Sequence, residues 1–388
     1  MTGATPRWPP PSAGTALTEP KIDLGVQWRP ETHRSGWSYA LDALARLHVP
    51  GGVRLEGFIE KKFAWGQDPG DLRNDPQPYT TPWIGFWHNP PVVHETFRRV
   101  GHGHAPDDIL ARELWRESAP HCLGLFTLSR YLQRWLQARL PIPVCSLLHP
   151  TGAPSVRFSP VRYAANPRRK IIQIGWWLRR FESLLDLEVP ALEKVALSPF
   201  PGWPDWYSAE GWADYGISSG VTQIPYLDDR GYDELLAKNV AFLDLYDSSA
   251  NNAVVECIAR LTPVLVNPLP AVVEYLGEGY PLYFTDLDQA AAKAQDMGLV
   301  IAAHQYLRDA PVQSRLSDES FLRAFTRSQI YRDLPSPSGD LGRQHAVQVG
   351  RWPSAQASGA DTRSGERLPR PAPSPPAAVR TPELSTEN

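Results

Sequence analysis

The chain has 388 residues, of which 42% are hydrophobic and 21% charged, and its formal net charge is -3. This length allows two domains, and the composition is typical of a folded globular protein. The balanced charge excludes a general basic field for nucleic acid, and no apolar run reaches the roughly 18 residues that a membrane span needs.

Both ends of the chain are predicted to be disordered. Residues 1–20 are rich in Pro, Thr and Ser, and residues 335–388 repeat that character. The N-terminal segment also lacks the apolar core of a secretory signal. Cys122, Cys145 and Cys257 lie in apolar segments without CxxC spacing, so we expect buried free thiols in a reducing, cytoplasmic compartment. We also expect a bacterial protein.

The first half, residues 21–151, alternates short apolar runs with helical patterns, which predicts a Rossmann-like domain. The predicted strands are Ile22–Val26, Val53–Ile59, Trp83–Trp87, Leu123–Leu128 and Val144–Leu148, and the predicted helices are Trp37–Leu47, Asp107–Arg116 and Arg130–Leu140. Residues 152–169 have little regular pattern and are predicted to be a linker.

The alternation restarts over residues 170–316, which predicts a second domain of the same class. The predicted strands are Lys170–Ile174, Lys194–Leu197, Val221–Ile224, Val240–Leu245, Val264–Asn267 and Leu282–Phe284, and the predicted helices are near 177–187, 231–237, 251–260, 271–276, 286–295 and 298–307. Continuous apolar strands separated by helices indicate parallel sheets covered on both faces, here two doubly wound domains facing across a cleft. A last helix within residues 317–334 has no strand after it, so we expect it to dock on an existing domain.

The junction after strand Val240–Leu245 is the strongest candidate site, because ligands of such sheets bind where strands end and helices begin. The polar residues that begin the next helix exceed what capping requires, and a helix N-terminus favours a diphosphate. They are Asp247, Ser248, Ser249, Asn251 and Asn252. Glu256 follows on an apolar stretch, where a carboxylate needs a partner such as a ribose. The alternative is a plain capping cluster with Glu256 paired to Arg260.

A second junction follows strand Lys170–Ile174. Gly175 permits close backbone approach, and Arg179 and Arg180 come soon after it. Two fixed positive charges could bind a diphosphate and stabilise it as a leaving group. The alternative is the start of a helix with two surface arginines.

A third junction is the sequence WHNPP after strand Trp83–Trp87. The double proline holds His88 and Asn89 in an extended turn, where a histidine is a hydrogen-bond or acid–base candidate. The alternative is a loop histidine bonded to backbone. Weaker candidates, with capping or turn explanations, are Gly36, Ser129 and His149. The HGH sequence at 102–104 lacks further metal ligands and is interpreted as a loop, and Glu274 as a solvated residue.

Several common enzyme signatures are missing from the sequence. No G-x-G-x-x-G follows a strand, and no G-x-x-x-x-G-K-[ST] occurs. One G-x-S-x-G match, GISSG at 216–220, precedes the predicted strand Val221–Ile224, whereas a nucleophile elbow follows a strand and begins a helix. Nicotinamide chemistry, P-loop phosphoryl transfer and nucleophile-elbow hydrolysis therefore lack their usual signals.

Residues 240–284 resemble the donor-binding segment of group 1 glycosyltransferases with the GT-B fold. The features that match in order are Glu256, the sequence TPVL at 262–265 and a proline-containing loop with a short helix ending at Gly277. The sequences IIQIGWWLRR, TQIPYLDDRGYDELLAKNVAFL, GFWHNPP and CLGLFTLSRYLQRWL resemble further family segments, and the last helix fits the GT-B habit of crossing back to the first domain. Two positions depart from the pattern. Ser248 stands where the family often has a second Glu, and Trp176 where it often has Arg.

The resemblance implies a glycosyltransferase, metal-independent and without a cofactor, that uses a nucleoside-diphosphate sugar and retains the anomeric configuration. It implies that Glu256 holds the ribose, Ile224–Tyr226 flank the base, and Ser248–Asn252 with Gly175, Arg179 and Arg180 bind the diphosphate. His88 then contacts the transferred sugar, with Gly36 and Asn89 on the acceptor side. The acceptor is not indicated. A catalytically degenerate binding or scaffold protein and a sugar-nucleotide epimerase are the alternatives.

Overall fold

The computed structural model describes residues 18–27, 29, 36–65, 77–99, 104–198 and 220–337. Within them, two five-stranded sheets form, and all their strand pairs are parallel. The predicted α/β class with two parallel sheets is confirmed. The termini predicted to be disordered and most of the HGH sequence lie outside the described residues, and the predicted domain boundaries stay predictions.

The first sheet has its described strands in chain order, β1-β2-β3-β4-β5, without a reversal. Its strands are Ile22–Asp23 (β1), Val53–Glu56 (β2), Trp83–Trp87 (β3), Cys122–Thr127 (β4) and Val144–Ser146 (β5). The described helices of this half are Trp37–Leu44 (α1), Ile59–Phe63 (α2), Glu95–Arg99 (α3), Pro106–Leu110 (α4), Glu113–Ser118 (α5) and Arg130–Gln137 (α6), with Pro160–Ala164 (α7) in the predicted linker.

The second sheet has the order β10-β9-β6-β7-β8, which reverses beside β6 as in a doubly wound fold. Its strands are Lys170–Gln173 (β6), Glu193–Leu197 (β7), Val221–Ile224 (β8), Val240–Leu243 (β9) and Val264–Val266 (β10). The helices that follow are Glu182–Asp186 (α8), Asp229–Leu236 (α9), Asn252–Arg260 (α10), Pro270–Leu276 (α11), Leu287–Gln295 (α12), Met297–Asp309 (α13), Asp318–Arg327 (α14) and Gln329–Asp333 (α15).

Burial and capping explain why these segments form. Every residue of β3 and β9 is buried, because helices cover both faces of a parallel sheet. The side chains of Ser129, Asp228 and Asn251 each accept a backbone N–H at the start of α6, α9 and α10. All three cysteines are free, but Cys145 is only half-buried, in contrast to the expectation.

Several predicted elements are shorter or divided. Residues Leu282–Phe284 make a single bridge from Tyr283 to Val266 instead of a strand, although Leu282 and Phe284 are buried. The last predicted helix divides at Ser328, whose extended backbone starts α15 and whose hydroxyl accepts the N–H of Tyr331. The helix predicted near 177–187 begins only at Glu182, because Leu178 has a left-handed backbone with φ 58°.

The remaining differences also follow from local backbone conformation. The helix predicted over Asp107–Arg116 divides where Arg112 is extended, and β1 ends before Gly25, which has φ 49°. The predicted linker contains α7, capped by the Ser159 hydroxyl with Pro160 in its first turn.

The last two helices pack on the first sheet, as the GT-B resemblance implied. Phe325 of α14 lies 4.7 Å from Phe126, measured between ring centroids, and Asp318 forms a salt bridge with Arg46. Ile330 of α15 packs against Gly124 of β4. In the part of the chain that the structure describes, no helix combines the length and apolar character needed to cross a membrane.

Candidate functional site

Hydrogen bonds join the carboxyl ends of the two sheets. The carboxylate of Asp247, which follows β9, accepts the backbone N–H of Val92 at 3.0 Å and the hydroxyl of Tyr131 at 3.2 Å. The hydroxyl of Tyr275 on α11 accepts the N–H of His149 at 2.9 Å and donates to the carbonyl of Leu128 at 2.7 Å. The strand ends predicted to carry the site therefore face each other.

Glu256 is buried on α10 and accepts a hydrogen bond from the Tyr232 hydroxyl at 2.5 Å. Arg260, the partner considered for it in the alternative interpretation, forms a buried salt bridge with Asp233 at 2.7 Å. The negative charge of Glu256 raises the pKa of His149, although burial is the larger influence and lowers that pKa to about 4. Glu256 and His149, one from each half, are therefore close enough to interact electrostatically.

Arg179 is a buried guanidinium bonded only to neutral oxygens. The residue is only 6% exposed. Its guanidinium donates to the carbonyls of Ile174 and Trp177 and, at 3.2 Å, to Oδ1 of Asn251. Among the described residues, no carboxylate lies within salt-bridge distance of it. Burial lowers its pKa to about 10. The charge of Glu256 acts against that lowering, but no carboxylate of the described chain bonds to the guanidinium directly. A buried charge without a directly bonded counter-ion indicates a site for an anion.

Gly175 makes room for this guanidinium. Its backbone has φ 72°, and a Cβ atom there would lie 2.8 Å from Nη2 of Arg179. Any larger residue would therefore push Arg179 away and strain the backbone.

Arg180 differs from Arg179 in having a carboxylate partner. Its Nη1 atom donates to Oδ1 of Asp244 at 2.8 Å, and its guanidinium lies 4.7 Å from the centre of the Tyr246 ring. Its charge is thus already compensated, and the sequence alone could not distinguish the two neighbouring arginines.

The loop before α10 combines capping with unused polar groups. Oδ1 of Asn251 accepts the N–H groups of Ala253 and Val254, while Asn252 is the first residue of the helix. The Ser248 N–H donates to Asp247 at 2.7 Å. The Ser249 hydroxyl is buried and, among the described residues, has no hydrogen-bond partner. Capping therefore explains Asn251 but leaves Ser249 unexplained.

His88 is half-buried and held in the neutral form. Its Nε2–H donates to the Gly57 carbonyl at 2.9 Å, and its ring stacks on Phe58 at 3.9 Å between centroids. Burial lowers its pKa to about 3, so at neutral pH the imidazole carries a single ring proton and no charge. The neighbouring Asn89 is buried, and its amide donates to the carbonyl of His104 at 2.8 Å.

Gly36 and Tyr226 lie at two further strand-to-helix junctions. Gly36 is buried at the N-terminus of α1, and its carbonyl accepts the Tyr39 N–H at 3.0 Å. Tyr226 follows β8. Burial raises its pKa, as do the charges of Asp229, Asp228 and Glu256, so its hydroxyl lies within electrostatic range of Glu256.

Sequence reasoning missed or misjudged several residues here. Glu274, interpreted as solvated, instead pairs with the backbone N–H and the guanidinium of Arg130 at 2.7 and 3.2 Å across the two halves. Glu60 was not noticed, yet it is buried and binds the backbone of His88 and Asn89. Ser129 caps α6, as its alternative explanation held.

The double tryptophan after Gly175 also had no predicted role. Trp176 and Trp177 pack with Phe97, Leu178 and Tyr246 in an apolar cluster that joins the 93–105 region to the second half. Both halves of the chain contribute aromatic residues to this cluster. Their pairing cannot be recognised in the sequence before the contacts are known. Within the described ranges, no three His, Cys, Asp or Glu side chains come together as a metal site.

Comparisons with known proteins bear on the fold alone. No protein-family model and no curated protein matches the chain. Among solved structures, sucrose-phosphate synthase from Thermosynechococcus elongatus is similar over 72% of this chain and 73% of its own, with 14% identity and a TM-score of 0.51.

Two further solved structures are similar at lower scores. The UDP-forming α,α-trehalose-phosphate synthase from Burkholderia vietnamiensis matches over 74% of this chain and 75% of its own, with 13% identity and a TM-score of 0.45. TarM of S. aureus matches over 63% of this chain and 50% of its own, with 13% identity and a TM-score of 0.47. The likeness to the synthase from Thermosynechococcus, together with two facing parallel sheets and terminal helices packed on the first, shows that this chain has the GT-B fold.

Proposed function

We propose that this protein transfers a sugar from a nucleoside-diphosphate sugar to an acceptor. The observation that carries the proposal is Arg179, a buried guanidinium without a carboxylate partner in the described chain, next to the N-terminus of α10. A diphosphate supplies an anion that bonds to this guanidinium directly, and the partial positive charge of the helix end adds to its binding. The unpartnered Ser249 hydroxyl offers a further hydrogen bond.

The rest of the donor fits the surrounding residues. Glu256 binds the ribose hydroxyls, since a buried carboxylate accepts two hydrogen bonds well and already lies beside Tyr232. Ile224–Tyr226, at the end of β8, flank the base. Arg180 contributes less than Arg179 because Asp244 already neutralises it.

In the reaction, the bond between the anomeric carbon and the diphosphate oxygen breaks and a bond to the acceptor's nucleophilic atom forms. The acceptor's proton leaves with the diphosphate. Arg179 and the start of α10 stabilise the charge that develops on the leaving group. His88, neutral at its pKa of about 3, contacts the transferred sugar as a hydrogen-bond acceptor through Nδ1 and does not donate a proton. The sequence resemblance implies retention, which the anomeric configuration of the product tests.

The test is calorimetric binding and hydrolysis of a panel of nucleoside-diphosphate sugars by the wild-type protein and by Glu256→Gln. We expect at least one donor to bind and Glu256→Gln to bind it about tenfold or more weakly, the effect of one charge-assisted hydrogen bond. Glu234→Gln, at an exposed position of α9 paired with Arg162, is the control and should bind as wild type. Equal binding by Glu256→Gln and wild type would contradict the ribose assignment, and no binding of any donor would contradict the function.

A second candidate is a donor-binding protein without transferase activity. It is favoured by Ser248, where the family often has a Glu, and by Asp247, whose carboxylate is occupied by Val92, Tyr131 and Ser248. Neither residue then offers a free carboxylate to the sugar. Donor binding without hydrolysis or transfer to any acceptor tested would support this candidate over the first.

A further inference from the structure

Residues 57–60, which connect β2 to α2 and include the first two residues of that helix, fix His88 by three separate contacts. The Gly57 carbonyl accepts the Nε2–H of His88 at 2.9 Å. The Phe58 ring lies parallel to the imidazole, 4° from coplanar. The Glu60 carboxylate accepts the backbone N–H of His88 at 2.7 Å. Because a carbonyl oxygen can only accept, the proton of the neutral imidazole is on Nε2 and the lone pair on Nδ1.

Glu60 also binds the next residue. Its Oε1 atom accepts the Asn89 N–H at 2.5 Å, so one oxygen holds two consecutive backbone groups. The other oxygen, Oε2, is buried and has no hydrogen-bond partner in the described chain. Burial raises the pKa of this carboxyl to about 7. Such a group destabilises the fold relative to an apolar residue, and groups of this kind concentrate at functional sites.

We propose that Glu60 is a positioning residue, which orients His88 so that its Nδ1 atom is presented to the transferred sugar. This inference rests on the proposed function, since it concerns the same reaction. Glu60 itself touches neither donor nor acceptor in this proposal. It acts by holding the backbone of His88 and Asn89, while Gly57 and Phe58 hold the ring.

The ionisation of Glu60 makes this role measurable. A carboxylate accepts hydrogen bonds more strongly than a carboxylic acid, so the grip on the two N–H groups weakens when Glu60 is protonated. The charged and titratable groups nearby are Glu56 at the end of β2, His88 after β3 and Lys62 on α2. The charge of Glu56 raises the pKa of Glu60, His88 stays neutral down to about pH 3, and the Lys62 ammonium lies over the Tyr79 ring and donates to the Gln77 carbonyl. Activity should therefore rise with pH through about 7.

The experiment compares donor hydrolysis between pH 5.5 and 8.5 in the full-length wild type and Glu60→Gln. We expect the wild-type kcat to rise through about pH 7, and the variant to show a flat profile, about tenfold below wild type at pH 8. Affinity for a nucleoside diphosphate alone should stay within twofold, because that ligand binds at the second sheet. Histidine ring 15N spectra and amide exchange should show a disturbed His88 and faster exchange at His88 and Asn89 in the variant.

Glu56→Gln is the matched control, a second glutamate of the same region that binds Phe58 and Tyr79 but neither His88 nor Asn89. It should keep the pH step, moved to slightly lower pH because one negative charge near Glu60 is lost. A pH step that persists in Glu60→Gln, or an unchanged kcat, overturns the proposal. The two proposals can fail separately. If the wild type binds no nucleoside diphosphate, the proposed function is wrong. If the His88 ring spectrum of Glu60→Gln equals that of wild type, the positioning role of Glu60 is wrong, whether or not a nucleoside diphosphate binds.

Discussion

Arg179 and Arg260 are two buried arginines with opposite surroundings. Arg260 binds the carboxylate of Asp233 at 2.7 Å, and Asp233 in turn accepts the N–H and hydroxyl of Ser155. Arg179 donates hydrogen bonds only to neutral oxygens in the described chain, although the charge of Glu256 lies within electrostatic range. A structural arginine is expected to resemble the first, and an arginine retained for a ligand the second.

This difference predicts opposite results for the same substitution. Arg179→Met should weaken nucleoside-diphosphate binding by about 10- to 100-fold, the value of one or two charge-assisted hydrogen bonds, and leave the free energy of unfolding unchanged or higher. Arg260→Met should lower that free energy by about 3–5 kcal/mol, because it strips a buried carboxylate of its guanidinium. Urea unfolding and calorimetric titration measure both. A large loss of stability in Arg179→Met would show that its role is structural.

Glu60 predicts a pH dependence of stability. Its folded pKa, about 7, lies above the ordinary value of 4.5, so the folded protein binds more protons than the unfolded chain between these values. The stability that this group contributes is therefore complete below about pH 4.5 and is lost as pH rises through about 7, to the extent of about 3 kcal/mol. In urea unfolding, Glu60→Gln should remove most of that decline. If the stability of Glu60→Gln declines with pH as much as that of the wild type, the decline comes from other groups.

The sequence could indicate some of these residues but not their partners. The position of His88 directly after a strand was predictable, because an apolar run precedes it and two prolines follow soon after it. Glu60 was not, since the sequence IEKKF resembles the charged start of an exposed helix. Its burial depends on the fit of α2 against the end of β3, which no local pattern encodes.

At the scale of elements, the apolar runs predicted most strands because a parallel sheet buries both faces of each strand. The apolar run Leu282–Phe284 was wrongly predicted to be a strand, because burial alone produces the same pattern. It makes a single bridge to the sheet and does not pair along its length. The division of the last helix depends on one serine. Ser328 bonds back to the backbone, and a lone serine within an amphipathic pattern does not reveal whether it will do so.

The docking of α15 on the first sheet depends on Gly124. A Cβ atom at this position would lie 2.7 Å from Cγ1 of Ile330, closer than carbon atoms approach. We therefore expect Gly124→Val to lower the free energy of unfolding by about 1–3 kcal/mol through overpacking. Combining it with Ile330→Ala should recover part of the loss, giving a favourable coupling in a double-mutant cycle. Additive effects of the two substitutions would show that the helix is held elsewhere.

At the scale of the whole molecule, contacts between residues far apart in the sequence hold the two sheets together. Arg130 and Glu274 are 144 positions apart, and His149 and Tyr275 are 126 apart. Such pairs carry no local signature, so the sequence predicted the two parallel sheets but not the bonds that join their strand ends. The aromatic cluster of Trp176 and Trp177 is of the same kind.

Tyr275 provides the sharpest test of how the two halves are joined. Its hydroxyl links the ends of β4 and β5 in the first sheet to α11. Tyr275→Phe therefore removes the hydrogen-bond partner that this hydroxyl gives to the buried Leu128 carbonyl and His149 N–H. We expect the free energy of unfolding to fall by about 1–3 kcal/mol, because two buried polar groups lose their partner. We also expect the small-angle scattering of the ligand-free protein to change, because the link between the halves is weakened. Tyr280→Phe is the matched control. Its buried hydroxyl accepts the Val264 N–H within the second sheet, so that variant should lose stability while its scattering stays that of wild type. If Tyr275→Phe also scatters as wild type, the other contacts suffice to fix the halves and this tyrosine only stabilises the strand ends.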